Sequence, residues 1–132
     1  SMSMFPSVVK AIILFNILLS IIGFKNRDFF NKYQFQISKI KGGEQIRMLS
    51  SGFLHVDFYH LFINMLSLYF FAGYVVYNIG EMKFLALYLG SLYFGNYLSF
   101  RYHNQQDNYT AVGASGAVSG VVYSAILLYP DM

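Results

Sequence analysis

HLFINMLSLYFFAGYVVY (His60–Tyr77) contains no charged residue, and none follows before Glu81. As a helix this stretch rises about 27 Å, close to the ~30 Å hydrocarbon core that a membrane-spanning helix must cross. It therefore reads as a transmembrane helix, and the polar residues inside it need a reason. His60 and Asn64 stand four apart, so both point to one face of the helix, one turn from each other. Polar side chains at membrane depth are functional candidates when they face a bundle interior or a water-filled cavity. Interhelical hydrogen bonding, worth about 0.6 kcal/mol on average, is the plainer use of such residues. The pair alone leaves both uses open.

The same pattern recurs on either side. Apolar blocks run from about Val8 to Phe24, from Lys83 to Phe100 and from Val112 to Pro130. A tight turn over Asn78–Met82 makes the second and third blocks antiparallel neighbours, and a polar loop, Arg101–Tyr109, leads to the fourth. The composition agrees: 56% of the 132 residues are hydrophobic and 11% are charged, against about 25% charged in a soluble domain. The expected fold is an all-α polytopic membrane protein, one domain over residues 1–132, with four transmembrane helices at about 8–24, 60–77, 83–100 and 112–130. Four crossings bring the starts of the second and fourth helices, and with them His60 and Ser115, to similar depth. A secretory signal peptide competes for the first block, but no small-x-small cleavage site follows it. Ser1–Met4 is left out of the reading.

Between the first two blocks lies a long segment, Lys25–Tyr59, holding six of the nine Lys and Arg residues with Phe29, Phe30, Tyr33, Phe35, Ile37 and Ile40 interleaved. This mixture suits short amphipathic helices in the headgroup region, or an irregular basic loop held there by lipid charge. The net charge of +3 thus points to anionic lipid headgroups as partners and not to nucleic acid. Cysteine is absent, which excludes disulfides and thiolate metal sites. Histidines at 55, 60 and 103 without convergent carboxylates form no ligand set, so no metal or organic cofactor is expected.

The fourth block opens Val112-Gly113-Ala114-Ser115-Gly116-Ala117-Val118-Ser119-Gly120. Gly116 and Gly120 form a small-xxx-small pair that lets another helix approach closely. Packing leaves Ser115 unexplained. A serine at a helix N-terminus between glycines has an accessible hydroxyl, and nearby free N–H groups suit an oxyanion. The soluble-hydrolase nucleophile elbow is excluded, because Ala117 stands where that motif needs glycine.

Taken in order, the motifs resemble those of the rhomboid family of intramembrane serine proteases. Glu44 to His55 resembles the family's segment between helices one and two, where an arginine precedes a serine-rich approach to a histidine. His60-Leu61-Phe62-Ile63-Asn64-Met65 is similar to the His-xxx-Asn-Met signature opening helix two, and Gly113-Ala114-Ser115-Gly116-Ala117 to the nucleophile motif opening helix four. The likeness covers roughly Glu44 to Pro130. Ile46 replaces a frequent tryptophan, and Val76 or Tyr77 a frequent glutamate.

The resemblance implies that Ser115 attacks a peptide carbonyl in a substrate's transmembrane segment. It implies an oxyanion hole of His60, Asn64 and the Ser115 N–H, with Gly113 lending a further backbone donor and clearance. Arg47 and His55 would organise the interfacial loop. The family's general base is a histidine on a sixth helix, beyond the four counted here, so this chain by itself is expected to be inactive. A catalytically inactive relative that binds transmembrane clients is the alternative, and a packing-only transporter or scaffold is a third reading. The positive-inside rule places Lys25–Arg47 in the cytoplasm; family precedent for bacterial members implies the opposite orientation, in a bacterial inner or plasma membrane, and is the one expected.

Overall fold

The computed structural model describes residues 5–131, so Ser1–Met4 and Met132 lie outside the described residues. In chain order the elements are α1 (Ser7–Lys25), α2 (Arg27–Tyr33), β1 (Phe35–Gln36), α3 (Ile37–Lys41), α4 (Arg47–Ser50), a 3-10 turn (Ser51–Phe53), α5 (Phe58–Ile79), α6 (Glu81–Tyr102), β2 (Thr110–Ala111) and α7 (Ser115–Leu128). The chain is helical apart from one antiparallel pair, in which Phe35 faces Ala111 and Gln36 faces Thr110.

Helix ends follow local chemistry. The Asp57 carboxylate caps α5 by accepting the His60 N–H at 2.9 Å, and the Asn26 side chain caps α2 through the Phe29 N–H at 3.0 Å. Between α5 and α6 stands a single residue, Gly80, at φ 83°, a conformation that favours glycine. Helix therefore extends further into the Asn78–Met82 turn than expected. The Glu81 carboxylate accepts the Val8 N–H at 2.7 Å, which puts the N-terminal turns of α1 and α6 together. A carboxylate there is favoured by the positive ends of both helices.

Helix α7 is packed between α5 and α6, and α1 lies along α5. On α5 the buried residues Leu61, Met65, Leu68, Ala72 and Val75 repeat at steps of four and three, a single stripe facing α1 and α7. Outside this core the surface remains apolar: Leu14, Phe70, Tyr77 and Leu127 are 66%, 59%, 87% and 81% exposed. Soluble monomers rarely expose so much apolar surface, whereas lipid accepts it. Helices α1 and α5 are long and apolar enough to cross a membrane. The four-span expectation meets a correction at the fourth block, where helix covers Ser115–Leu128 instead of 112–130. Its 14 residues rise about 21 Å, short of a full hydrocarbon core.

The helix that the Gly116 and Gly120 pair lets approach is identified by its contacts. Both glycines face α6: a Cβ on Gly116 would lie 3.7 Å from the Ser91 carbonyl oxygen and 3.8 Å from the Gly95 Cα. Ser91 and Gly95 are themselves spaced four apart, so small residues meet small residues across this pair. A Cβ on Gly120 would come within 2.6 Å of the Ser91 Cβ, while one on Gly73 would meet nothing within 4 Å. Gly120→Ala is accordingly expected to destabilise the protein by about 1–3 kcal/mol, and Gly73→Ala to leave it unchanged or raise it by up to about 1 kcal/mol. Thermal unfolding of both variants in detergent checks this; equal behaviour would contradict the packing described.

The Lys25–Tyr59 segment folds as short helices around a satellite core of Phe35, Ile37, Ile40 and Met48, against which Phe100 and Tyr109 pack. Phe30 is buried and Phe29 half-buried. Arg47 is 3% exposed; it pairs with Glu44 at 2.8 Å and donates to the carbonyls of Asn31 and Gln34 at 2.9 and 2.7 Å. Its charge is thus internal to the loop and is not spent on water or lipid.

Candidate active site

Ser115 is the first residue of α7, and it is exposed at the mouth of the helix. The turn before it is held from two sides. Gly113 adopts φ 129° and its N–H donates to the Ser51 carbonyl at 3.0 Å; an L side chain at that φ would be strained. The Ala114 N–H donates to His55 Nε2 at 3.2 Å. The Val118 N–H, bonded to the Ala114 carbonyl at 2.9 Å, begins the helical ladder. The N–H groups of Ser115, Gly116 and Ala117 thus have no intrahelical acceptor, and they sit at the positive end of the helix. Beside them is a cavity of about 220 Å³ lined by Gly113, Ser115, Gly116, Asn96 and Ser99.

His60 and Asn64 lie one turn apart on α5, next to its buried stripe. His60 Nδ1 is 2.7 Å from Asp57 Oδ1, the same atom that caps the helix. Hydrogen bonds from the backbone and ring of His60 hold the Asp57 carboxyl below the usual carboxylate range. The Asn64 amide donates to the His60 carbonyl at 3.0 Å. Both side chains are therefore turned onto their own helix, and among the described residues no hydrogen bond joins either to Ser115. Satisfying donors locally is the default where nothing else accepts from them.

His55 is 1% exposed. Its partners are not Asp57 and Tyr59, its neighbours in sequence, but Ser20 on α1 and the Ala114 N–H. Burial, and secondarily the charge of His60, push its pKa down from 6.5 to about 4. A folded-state pKa below the unfolded value means that the unfolded chain takes up the proton first as pH falls. Stability is thus complete above about 6.5 and is lost progressively towards about 4, by on the order of 3 kcal/mol. Thermal unfolding across that range should show the decline in the native chain and its absence in His55→Gln; identical profiles would rule it out.

His103, in the polar Arg101–Tyr109 loop, is half-buried: its ring stacks on Tyr109 at 3.6 Å between centroids, and Nδ1 lies 2.8 Å from Gln106 Oε1. Ser20 escaped the sequence reading. Asn16 and Ser20, both buried, stand four apart in a block that is otherwise apolar after Lys10, the same signal that marked His60 and Asn64.

Comparison with known proteins bears on what this arrangement is. Residues 42–131 match the Rhomboid domain family. YdcA of Bacillus subtilis, by its name a candidate rhomboid protease, is 35% identical over 92 residues, covering 68% of this chain and 45% of that protein. RHOMBOID-like protein 12, mitochondrial, of Arabidopsis thaliana is 26% identical over 122 residues, 81% of this chain and 36% of the relative. Rhomboid protein 1, mitochondrial, of Saccharomyces cerevisiae is 33% identical over 89 residues, 65% and 26%. The chain thus spans less than half the length of these relatives. Two of these three names are mitochondrial, so the expected bacterial plasma membrane finds no support in them. With the family match running from the segment between α1 and α5 through α7 and taking in both polar motifs, the chain belongs to the rhomboid family, whose members are embedded in membranes.

Proposed function

We propose that this chain contributes the nucleophile side of an intramembrane serine endopeptidase acting on transmembrane segments of membrane-protein substrates, with Ser115 as nucleophile. The observation that carries this reading is the turn at Gly113 and Ala114: anchored by Ser51 and His55, it presents the Ser115 hydroxyl beside N–H groups that have no intrahelical acceptor. A carbonyl attacked by Ser115 Oγ develops its negative charge where the Ser115 N–H and the helix dipole stabilise it. His60 and Asn64 supply the side-chain donors once the Asp57–His60 contact opens and both rotate towards the substrate oxygen. Helices α6 and α7 lie in the bilayer beside α1 and α5, with α7 reaching only part of the way across and Ser115 at its open end.

The proton of Ser115 needs an acceptor. His55 Nε2 already accepts from Ala114, His60 is held by Asp57 and His103 by Gln106 and Tyr109. The base in this proposal is the histidine that the family carries on its sixth helix. One observation favours a second reading, an inactive relative that binds transmembrane clients: His60 and Asn64 are engaged on their own helix. A fluorophosphonate, which esterifies activated serines, separates the two. Incubated with the intact protein in liposomes, it should modify the peptide bearing Ser115. Absence of labelling, with a transmembrane client still bound, would favour the second reading.

A further inference from the structure

The hydroxyl of Ser20 carries one hydrogen, and it is donated to the Phe53 carbonyl at 3.0 Å. At 2.9 Å from His55 Nδ1, the Ser20 oxygen is therefore left to accept, and Nδ1 must bear the proton. His55 Nε2 is then bare, as it has to be to accept the Ala114 N–H at 3.2 Å. Each bond in this chain dictates the direction of the next. A ring protonated on both nitrogens would set an N–H against the Ala114 N–H.

We infer that His55 is a positioning residue for the active site: as the neutral Nδ1–H tautomer, it fixes the Ala114 peptide and thereby the attitude of Ser115, and it couples that turn to α1 through Ser20. The inference rests on the proposed role of Ser115. It also distinguishes the amides: the Ala114 N–H is committed to His55, so the Ser115 N–H is the first along the turn that is free for an oxyanion. Ser20, His55 and Ala114 come from three separate parts of the chain, so the link joins a lipid-facing helix to the nucleophile. Among titratable groups the ring feels His60, which is itself 2.7 Å from Asp57. A shift of about 1 Å in a reacting group can lower a rate about 100-fold, which sets the size of the expected effect.

Two substitutions separate the two ends of the ring. In His55→Gln the amide oxygen reaches the position of Nε2 and can still accept from Ala114; in His55→Asn the amide occupies the position of Nδ1 and leaves Ala114 without an acceptor. In the intact protein, His55→Asn is expected to lower kcat on the order of 100-fold with little change in KM, while His55→Gln retains most of kcat. Equal losses, or a greater loss in Gln, would overturn the assignment. Should Ser115→Ala leave cleavage undiminished, the protease reading fails instead, and the tautomer is tested separately. Nitrogen-15 NMR of the His55 ring in micelles at neutral pH should show a protonated Nδ1 and a bare Nε2. A bare Nδ1 or a charged ring would refute the positioning role whatever the activity.

Discussion

Ser115→Ala in the intact protein is expected to abolish cleavage of a transmembrane substrate, a loss on the order of a million-fold if Ser115 acts as serine nucleophiles do elsewhere. The fold should survive. Ser115 is exposed at the first position of α7 and makes no capping bond of its own, and alanine is the better helix former. Loss of activity with an unchanged unfolding temperature is therefore the result to seek. A polypeptide of residues 1–132 is expected to be inactive with serine present, because none of its histidines is hydrogen-bonded to the hydroxyl. Ser115-dependent cleavage by that polypeptide would turn attention to His103, which would have to leave its stack on Tyr109.

His60→Ala and Asn64→Ala are each expected to lower kcat by about 10²–10³, the usual cost of removing one oxyanion donor. Combined, they should cost less than the product of the single effects, since both act on one oxygen. Neither side chain bonds across the helix interface, so a catalytic loss without a drop in stability marks a role in the transition state. Asp57 makes the test sharper. Its carboxylate both caps α5 and holds the His60 ring; Asp57→Ser keeps a cap and releases the ring, and should preserve or raise kcat. If instead His60→Ala and Asn64→Ala lower stability and spare the rate, the two residues are structural.

Much of the architecture was legible from hydropathy. The absence of charge from His60 to Gly80 dictates helix α5, since in lipid each backbone group must be bonded within its own segment. Gly80 marked the turn and the Gly116–Gly120 pair marked a close helix contact, because a missing Cβ is a local property. Ser115 stood out for the same reason: a hydroxyl between glycines at a helix mouth is visible without knowing what surrounds it.

What the sequence by itself determined were properties set by neighbouring residues: apolar length, the helical faces of His60 and Asn64, and the order of motifs that marks the family. The tertiary structure decided which groups meet. It paired Gly116 and Gly120 with Ser91 and Gly95 on α6, drew His55 from its sequence neighbours to Ser20 and Ala114, and folded Arg47 into its own loop. It also moved the start of the last helix to Ser115, where Gly113 at φ 129° bonds Ser51. Hydropathy carries no information on φ, and a hydrogen bond such as that between His55 and Ala114, 59 residues apart, depends on two helices being docked before either group has a partner.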